Sequence, residues 1–202
     1  MTQLLTYLDP LFLVQTLGLV GVWLIIFAES GLFFGFFFPG DSLLFTAGFL
    51  ASQHYINIWW LVVGAMVAAV LGDNVGYWFG AKVGPKIFTR EDSLFFHKDH
   101  LRRAAEFFQQ HGKKAIILAR FVPIVRTFTP ILAGVGKMEY KTFFSYNLIG
   151  GVLWGGGVTL AGYVLGRTIP GVDRYLWPII LLIVTTSFLP IVWDRLKKVY
   201  NK

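Results

Sequence analysis

The 202-residue chain contains no cysteine and few charged residues. The missing cysteines exclude disulfides, thiolate metal sites and cysteine nucleophiles. Charged residues make up 14% of the chain, while 55% of its residues are hydrophobic and 17% are aromatic. Soluble domains carry about 25% charged residues. The composition therefore predicts an all-α polytopic membrane protein, with one membrane domain over residues 1–202.

Basic residues are absent from residues 1–81, although the net charge is +7. Residues 82–114 contain eight lysines and arginines, and residues 194–202 contain four. A basic chain can bind nucleic acid, but clustering beside apolar segments is better explained by the positive-inside rule. We therefore expect no nucleic-acid partner, a bacterial inner (plasma) membrane location and two cytoplasmic termini. The first apolar run lacks a preceding basic region and is not expected to be a cleaved signal peptide.

Four apolar segments are predicted to cross the membrane. A helix needs about 20 residues to span the hydrocarbon core. Five of the seven tryptophans lie at segment ends, where an interfacial belt would place them. The predicted spans cover residues 11–28, 57–80, 143–166 and 176–193.

Two further apolar segments, residues 31–50 and 115–136, are interrupted by prolines. We expect the first to break at Pro39 and Gly40, and the second at Pro123 and Pro130, because proline cannot continue the helical hydrogen-bond ladder. Each half of the first segment covers only about half of the hydrocarbon core. Both segments are therefore predicted to be re-entrant hairpins that line a cavity, since irregular backbone at membrane depth must avoid lipid.

Several glycines and neighbouring residues of the first half recur 86 residues later in the second half. Gly64 falls on Gly150, and Gly76-Tyr77 falls on Gly162-Tyr163. The placement of basic residues gives the two halves opposite orientations, an arrangement found in many transporters. We predict an inverted repeat whose first half covers residues 11–85 and whose second half covers residues 115–170. A cytoplasmic amphipathic segment (86–114) lies between the halves, and a last transmembrane helix (176–193) follows them.

Five ionisable residues lie within apolar sequence. A charge at the bilayer centre costs at least about 2.5 kcal/mol, so each requires a partner or water. Arg120 and Arg126 are candidate ligands for a phosphate or carboxylate, because guanidinium groups stay charged and donate in a planar fork. A structural alternative is that the acids and arginines form ion pairs that make their burial in the membrane possible and have no role in binding. Asp73 is an accessory candidate, and the other two acids are Glu29 and Asp41.

No enzymatic or metal site is expected. The membrane-embedded serines have no nearby histidine, and the sequence contains no phosphate-binding loop of the Walker type. His97 and His100 lie beside Asp99, but no further ligands are near, so a surface segment is the better interpretation. The chain is therefore predicted to be neither an enzyme nor an ATP-driven pump, and to use no cofactor.

An ordered set of motifs resembles the DedA family of bacterial inner-membrane proteins, whose shared region is also called the SNARE-associated or VTT domain. The likeness spans roughly residues 20–170, and its motifs are Glu29, Phe38-Pro39-Gly40-Asp41-Ser42, Gly72-Asp73-x-x-Gly76-Tyr77, Arg120-Phe121-Val122-Pro123-x-x-Arg126 and Ala133-Gly134. The resemblance implies two opposed re-entrant hairpins and a role in membrane homeostasis that depends on the proton gradient. It also implies functional acids at Glu29 and Asp41 and functional arginines at Arg120 and Arg126.

The leading functional hypothesis is a proton-coupled translocase for an anionic lipid headgroup such as undecaprenyl phosphate. Arg120 and Arg126 would bind the phosphate, while Glu29 and Asp41 would carry the proton or release the arginines. Two alternatives remain open at this point: a proton-coupled antiporter of small cations or drugs, and a membrane assembly or scaffold factor. An oligomer is compatible with the sequence.

Overall fold

The computed structural model describes residues 10–87 and 114–169, apart from residues 33, 34, 36, 37 and 122, together with residues 178 and 181. Regular structure among these residues is entirely helical. The predicted amphipathic segment (86–114) lies almost wholly outside the described residues, and the predicted last span (176–193) does so apart from residues 178 and 181. The helices are α1 (Pro10–Gly31), α2 (Gly40–Ser52), α3 (Ile58–Ile87), α4 (Ala115–Ala119), α5 (Pro123–Val135), α6 (Tyr140–Gly151) and α7 (Gly157–Thr168).

Three helical segments of the described chain are long and apolar enough to cross a membrane. They cover Leu11–Gly31, Ile58–Val83 and Tyr140–Thr168. The last of these consists of α6, a π-helical turn at Val152–Gly156, and α7. These segments agree with the first three predicted spans and confirm a multi-pass helical membrane protein.

The first span contains a backbone irregularity at Gly18. Its φ of +61° and ψ of −159° lie outside the helical region, although α1 continues on both sides. This combination is accessible to glycine almost alone. Because the sequence offers no proline here, the break in α1 was not anticipated.

The prolines of the two predicted hairpins differ in their effect on the backbone. Pro39 immediately precedes α2, whose first residue is Gly40. Pro123 is the first residue of α5, a position where its missing N–H would have no helical partner anyway. Pro130 lies inside α5, which continues to Val135. The expected break at Pro130 was therefore wrong, because an internal proline removes one ladder hydrogen bond but the flanking turns persist.

Residue contacts divide the chain into two compact units, and α1 and α3 each contribute residues to both. Unit 1 comprises the described parts of Met1–Ile25, Phe38–Ala65 and Gly155–Lys202. Unit 2 comprises those of Ile26–Phe37 and Met66–Trp154.

In unit 1, α2 packs closely against α7 through glycines. A Cβ atom on Gly48 would lie 3.1 Å from the backbone nitrogen of Tyr163, and one on Gly162 would lie 2.9 Å from the carbonyl carbon of Phe45. Both helices bury small residues at this contact, so their backbones approach each other as small-residue interfaces in membranes allow.

In unit 2, α5 packs against α3 in a similar way. A Cβ atom on Gly134 would lie 3.0 Å from the carbonyl carbon of Tyr77, and one on Gly80 would lie 2.8 Å from that of Ile131. The beginning of α6 is held on the same part of α3, because the ring of Tyr77 stacks on Phe143 with 4.6 Å between centroids. These contacts fix α3, α5 and α6 as the frame of unit 2.

Candidate functional site

Unit 2 contains four of the five ionisable residues that the sequence places in apolar segments. Glu29, Asp73, Arg120 and Arg126 are each between 1% and 3% exposed. They come from four different parts of the chain and form two ion pairs. A buried charge is tolerated only when it is paired, so the pairing explains how these residues are accommodated.

Arg126 is held between an acid and an aromatic ring. It lies in the first turn of α5, and its Nη2 donates a hydrogen bond to Oε1 of Glu29 near the end of α1. Its guanidinium carbon also lies 4.3 Å from the ring centroid of Trp154. Such cation–π contacts contribute about 0.5–2 kcal/mol, with the larger values at desolvated positions. Glu29 therefore neutralises the charge of Arg126, and the ring of Trp154 packs against its guanidinium group.

Trp154 lies in the π-helical turn between α6 and α7 and is 1% exposed. A π-helical turn inserts extra backbone into a helix, and such turns are frequent at functional sites. Here the turn includes the residue whose ring lies against Arg126.

Arg120 occupies the turn between α4 and α5. Its Nη2 donates to Oδ2 of Asp73 on α3 and to Oδ1 of Asn147 on α6. Asn147 in turn donates from Nδ2 to the carbonyl of Val70 at 3.2 Å, one helical turn before Asp73. Two helices therefore hold one nitrogen of Arg120, one through a carboxylate and the other through a neutral amide.

Glycines make room for this network. A Cβ atom on Gly150 would lie 2.6 Å from Cδ and 2.8 Å from Nε of Arg120. At the end of α1, a Cβ on Gly31 would lie 2.7 Å from the carbonyl oxygen of Gly72. Gly72 directly precedes Asp73, so this approach holds the end of α1, which contains Glu29, against the middle of α3, which contains Asp73.

The network is electrically balanced but its hydrogen bonding is incomplete. Two ionised acids and two arginines sum to zero charge. Nε and Nη1 of Arg120 and Oδ1 of Asp73 are buried and have no hydrogen-bond partner among the described residues. An unsatisfied buried donor or acceptor costs about 1–3 kcal/mol. Nε and Nη1 of Arg120 can therefore donate hydrogen bonds to a further group, and Oδ1 of Asp73 can accept one, without loss of the existing contacts.

Asp41, the fifth ionisable residue, belongs to unit 1. It is the second residue of α2 and is half-buried. The neighbouring hydroxyl of Ser42 donates to the carbonyl of Pro39 at 3.0 Å and stabilises the start of that helix. An acid in the first turn also interacts favourably with the helix dipole.

Two residues of the network, Asn147 and Trp154, are not among the site residues predicted from the sequence. Residues 147, 150, 151 and 154 nevertheless follow the i, i+3, i+4, i+7 spacing of one helical face, and all four are buried. An amide and two glycines on one face of a predicted membrane span are the sequence feature that could have identified this part of the site.

The two arginines do not share one helix, although six residues separate them in sequence. On an unbroken helix they would point about 120° apart. The chain instead turns at Arg120 and Phe121 before α5 begins at Pro123. The interruption agrees with the break expected at Pro123, and both arginines lie in unit 2.

Comparison with known proteins gives a consistent family assignment. The VTT domain matches residues 38–164. Protein DedA of Escherichia coli strain K12 is 47% identical over 178 residues, which cover 84% of this chain and 81% of the relative. An uncharacterized membrane protein of Mycobacterium leprae is 46% identical over 189 residues, covering 91% and 84% respectively. No solved structure shows significant similarity. With this match and these identities, the chain belongs to the DedA family of VTT-domain membrane proteins.

Proposed function

We propose that the protein is a proton-coupled translocase for an anionic lipid headgroup, with a polyprenyl phosphate such as undecaprenyl phosphate as the leading substrate. Arg120 and Arg126 bind the phosphate group. Glu29 and Asp73 balance the arginines when the site is empty and release them when the substrate binds. The role is to support envelope and membrane homeostasis at the bacterial inner membrane.

The observation that supports this proposal best is the pairing of two buried arginines with two buried acids in one unit. Arginine is suited to phosphate because its planar group donates in a fork. Two of the three nitrogens of Arg120 have no acceptor among the described residues. A phosphate oxygen would supply an acceptor for these two nitrogens.

Charge balance gives a physical reason for proton coupling. The empty network is neutral, so a bound anion adds a negative charge to a buried region, which is unfavourable. A proton taken up by Glu29 or Asp73 cancels that charge and weakens the hold of the acid on its arginine. Moving an anion toward a negative interior is also opposed by about 2.3 kcal/mol per charge per 100 mV. A co-transported proton removes this opposition for one charge.

Asp41 is proposed as a further proton-coupling residue. This role rests on the family motif, in which it accompanies Glu29. Its position in the first turn of α2 and its half-buried side chain are compatible with access to protons. Replacement by asparagine should then reduce gradient-driven transport more than passive, gradient-independent movement of the lipid.

We also propose that the two halves form an inverted repeat with re-entrant hairpins at residues 31–50 and 115–136. Reciprocal contacts support the repeat. Gly48 approaches Tyr163 in unit 1, and Gly134 approaches Tyr77 in unit 2. A shift of 86 residues relates Gly48 to Gly134 and Tyr77 to Tyr163. With basic segments inside, the arrangement places both termini in the cytoplasm.

A cation antiporter is less well supported. Such a protein needs carboxylates that are available to bind the transported cation. Glu29 and Asp73 each already hold an arginine. At Glu29 or Asp73, a cation would therefore have to displace a guanidinium group that is itself buried, leaving an uncompensated charge.

Liposomes that contain the purified protein test the proposal directly. The measurement is transbilayer movement of a polyprenyl phosphate, with and without an imposed pH gradient. We expect movement to require the protein and to be lost in Arg126→Ala, and the gradient should accelerate it. Arg167→Gln is the matched control, because Arg167 is an exposed arginine in unit 1. Movement by Arg126→Ala equal to that of the unmodified protein would contradict the proposed site.

A further inference from the structure

Asn147 is completely buried and its side-chain orientation is fixed. It is 0% exposed, and its Nδ2 donates to the carbonyl of Val70. Its Oδ1 therefore faces Arg120 and accepts from Nη2. The amide gives Arg120 a hydrogen-bond acceptor without giving it a negative charge.

Arg120 consequently has two side-chain acceptors of different charge. Asp73 neutralises the guanidinium group, and Asn147 only orients it. Both acceptors use the same nitrogen, which leaves Nε and Nη1 without an acceptor among the described residues. A second carboxylate at position 147 would give Arg120 a surplus of negative charge and repel any anion that approaches the remaining nitrogens.

We propose that Asn147 is a specificity-determining residue that preserves the anion-binding capacity of Arg120 by being neutral. The ligand class is a phosphate monoester or carboxylate, whether free or on a lipid. This inference deepens the proposed translocase function and rests on it. Asn147 acts through Arg120, so its charge matters more than its exact hydrogen bonds.

The first test is Asn147→Asp, a change of nearly constant size. A charge within about 4–6 Å shifts an ionic equilibrium by about one to three pKa units, which corresponds to about 10- to 1000-fold. We therefore expect at least about tenfold weaker anion binding. Isothermal titration calorimetry of purified protein in detergent micelles gives the dissociation constant. The two probes are inorganic phosphate and farnesyl phosphate.

A double variant separates charge from structure. Asp73→Asn combined with Asn147→Asp exchanges the two side chains, so Arg120 again has one carboxylate and one amide. The exchange should restore binding to within about threefold of the unmodified protein, because the summed charge is the same. Binding that stays as weak as in Asn147→Asp would overturn the proposal, since it would show that the amide position itself is required.

Asn147→Leu provides a test that does not depend on the folding of the acidic variant. Leucine has a similar shape and no charge, and the carbonyl of Val70 keeps the donor of Asn74 at 2.7 Å. We expect Asn147→Leu to bind the anion, with size-exclusion chromatography and thermal unfolding as checks of folding. Loss of binding in folded Asn147→Leu would contradict the proposal, because neutrality alone would then be insufficient.

The outcomes distinguish the inference from the proposed function. If the unmodified protein binds neither probe, the translocase proposal itself fails. If it binds and Asn147→Asp binds equally well, only the role of Asn147 fails. Binding of farnesyl phosphate alone assigns the site to a lipid headgroup, whereas binding of inorganic phosphate as well assigns it to the phosphate group.

Discussion

At the residue scale, the two arginines of unit 2 have different surroundings. Arg126 has an acid at one edge and the Trp154 ring near its guanidinium group. Arg120 is held through one nitrogen by Asp73 and Asn147, and Gly150 makes room for its side chain. We infer that substitutions at the two positions have different consequences, even though both arginines are buried and paired.

Arg126→Lys keeps the positive charge but removes the planar group beside Trp154. Lysine cannot donate in a fork, and a charged hydrogen bond contributes about 1.5–3 kcal/mol. We expect farnesyl phosphate binding to weaken by about 10- to 100-fold while the protein stays folded. Calorimetric titration measures the change. Arg167→Lys is the control, since Arg167 lies over Tyr163 at 5.7 Å but is exposed. Unchanged binding by Arg126→Lys would show that charge alone suffices.

Gly150→Ala should disturb Arg120 without changing any charge. The added Cβ would lie 2.6 Å from Cδ of Arg120, a distance that forces the side chain to move. We expect loss of most lipid movement in the liposome assay and a lower unfolding temperature. Gly157→Ala is the matched control, because a Cβ there meets nothing within 4 Å. Equal activity of the two alanine variants would mean that Arg120 can shift without consequence.

At the element scale, interruptions of the helices determine which residues meet. The turn at Arg120 and Phe121 separates α4 from α5, and the π-helical turn contains Trp154. Pro130 shows that proline alone does not identify an interruption, because α5 passes through it. Gly18 shows the converse, since α1 is irregular there without any proline.

The irregularity of α1 can be tested at Gly18. Any side chain with φ near +61° and ψ near −159° is strained, at a cost of about 1–3 kcal/mol. A Cβ there meets no neighbour within 4 Å, so crowding would not contribute. Gly18→Ala and Gly18→Asn should therefore destabilise the protein by similar amounts, as measured by denaturant unfolding in micelles. A more stable Gly18→Ala would indicate that α1 can adopt a regular helix instead.

At the scale of the whole molecule, the proposed inverted repeat predicts that equivalent positions face opposite sides of the membrane. Tyr55 and Lys141 are related by the shift of 86 residues, and both are exposed. Because the chain has no cysteine, single cysteines can be introduced without background labelling. The two positions thus form a matched pair for topology mapping.

We expect Tyr55→Cys to react with a membrane-impermeant maleimide in intact cells, and Lys141→Cys to react only after permeabilisation. The physical reason is the positive-inside rule, which places the basic 82–114 segment and Lys141 in the cytoplasm. Thr168→Cys serves as a second position for the outer side, because it is exposed at the end of α7. Labelling of Tyr55→Cys and Lys141→Cys from the same side would contradict the inverted repeat.

The sequence by itself determined the membrane character, the first three spans, the family and the four buried charges of unit 2. These follow from composition, apolar length and ordered motifs, which are local properties of the chain. Tertiary structure decided which acid accompanies which arginine, because partners such as Arg126 and Glu29 are 97 residues apart. It also showed that Asp73, an accessory candidate in the sequence, pairs directly with Arg120, and that Asn147 and Trp154 contact the two arginines. Pairing depends on how helices pack around glycines, and no single segment contains that information.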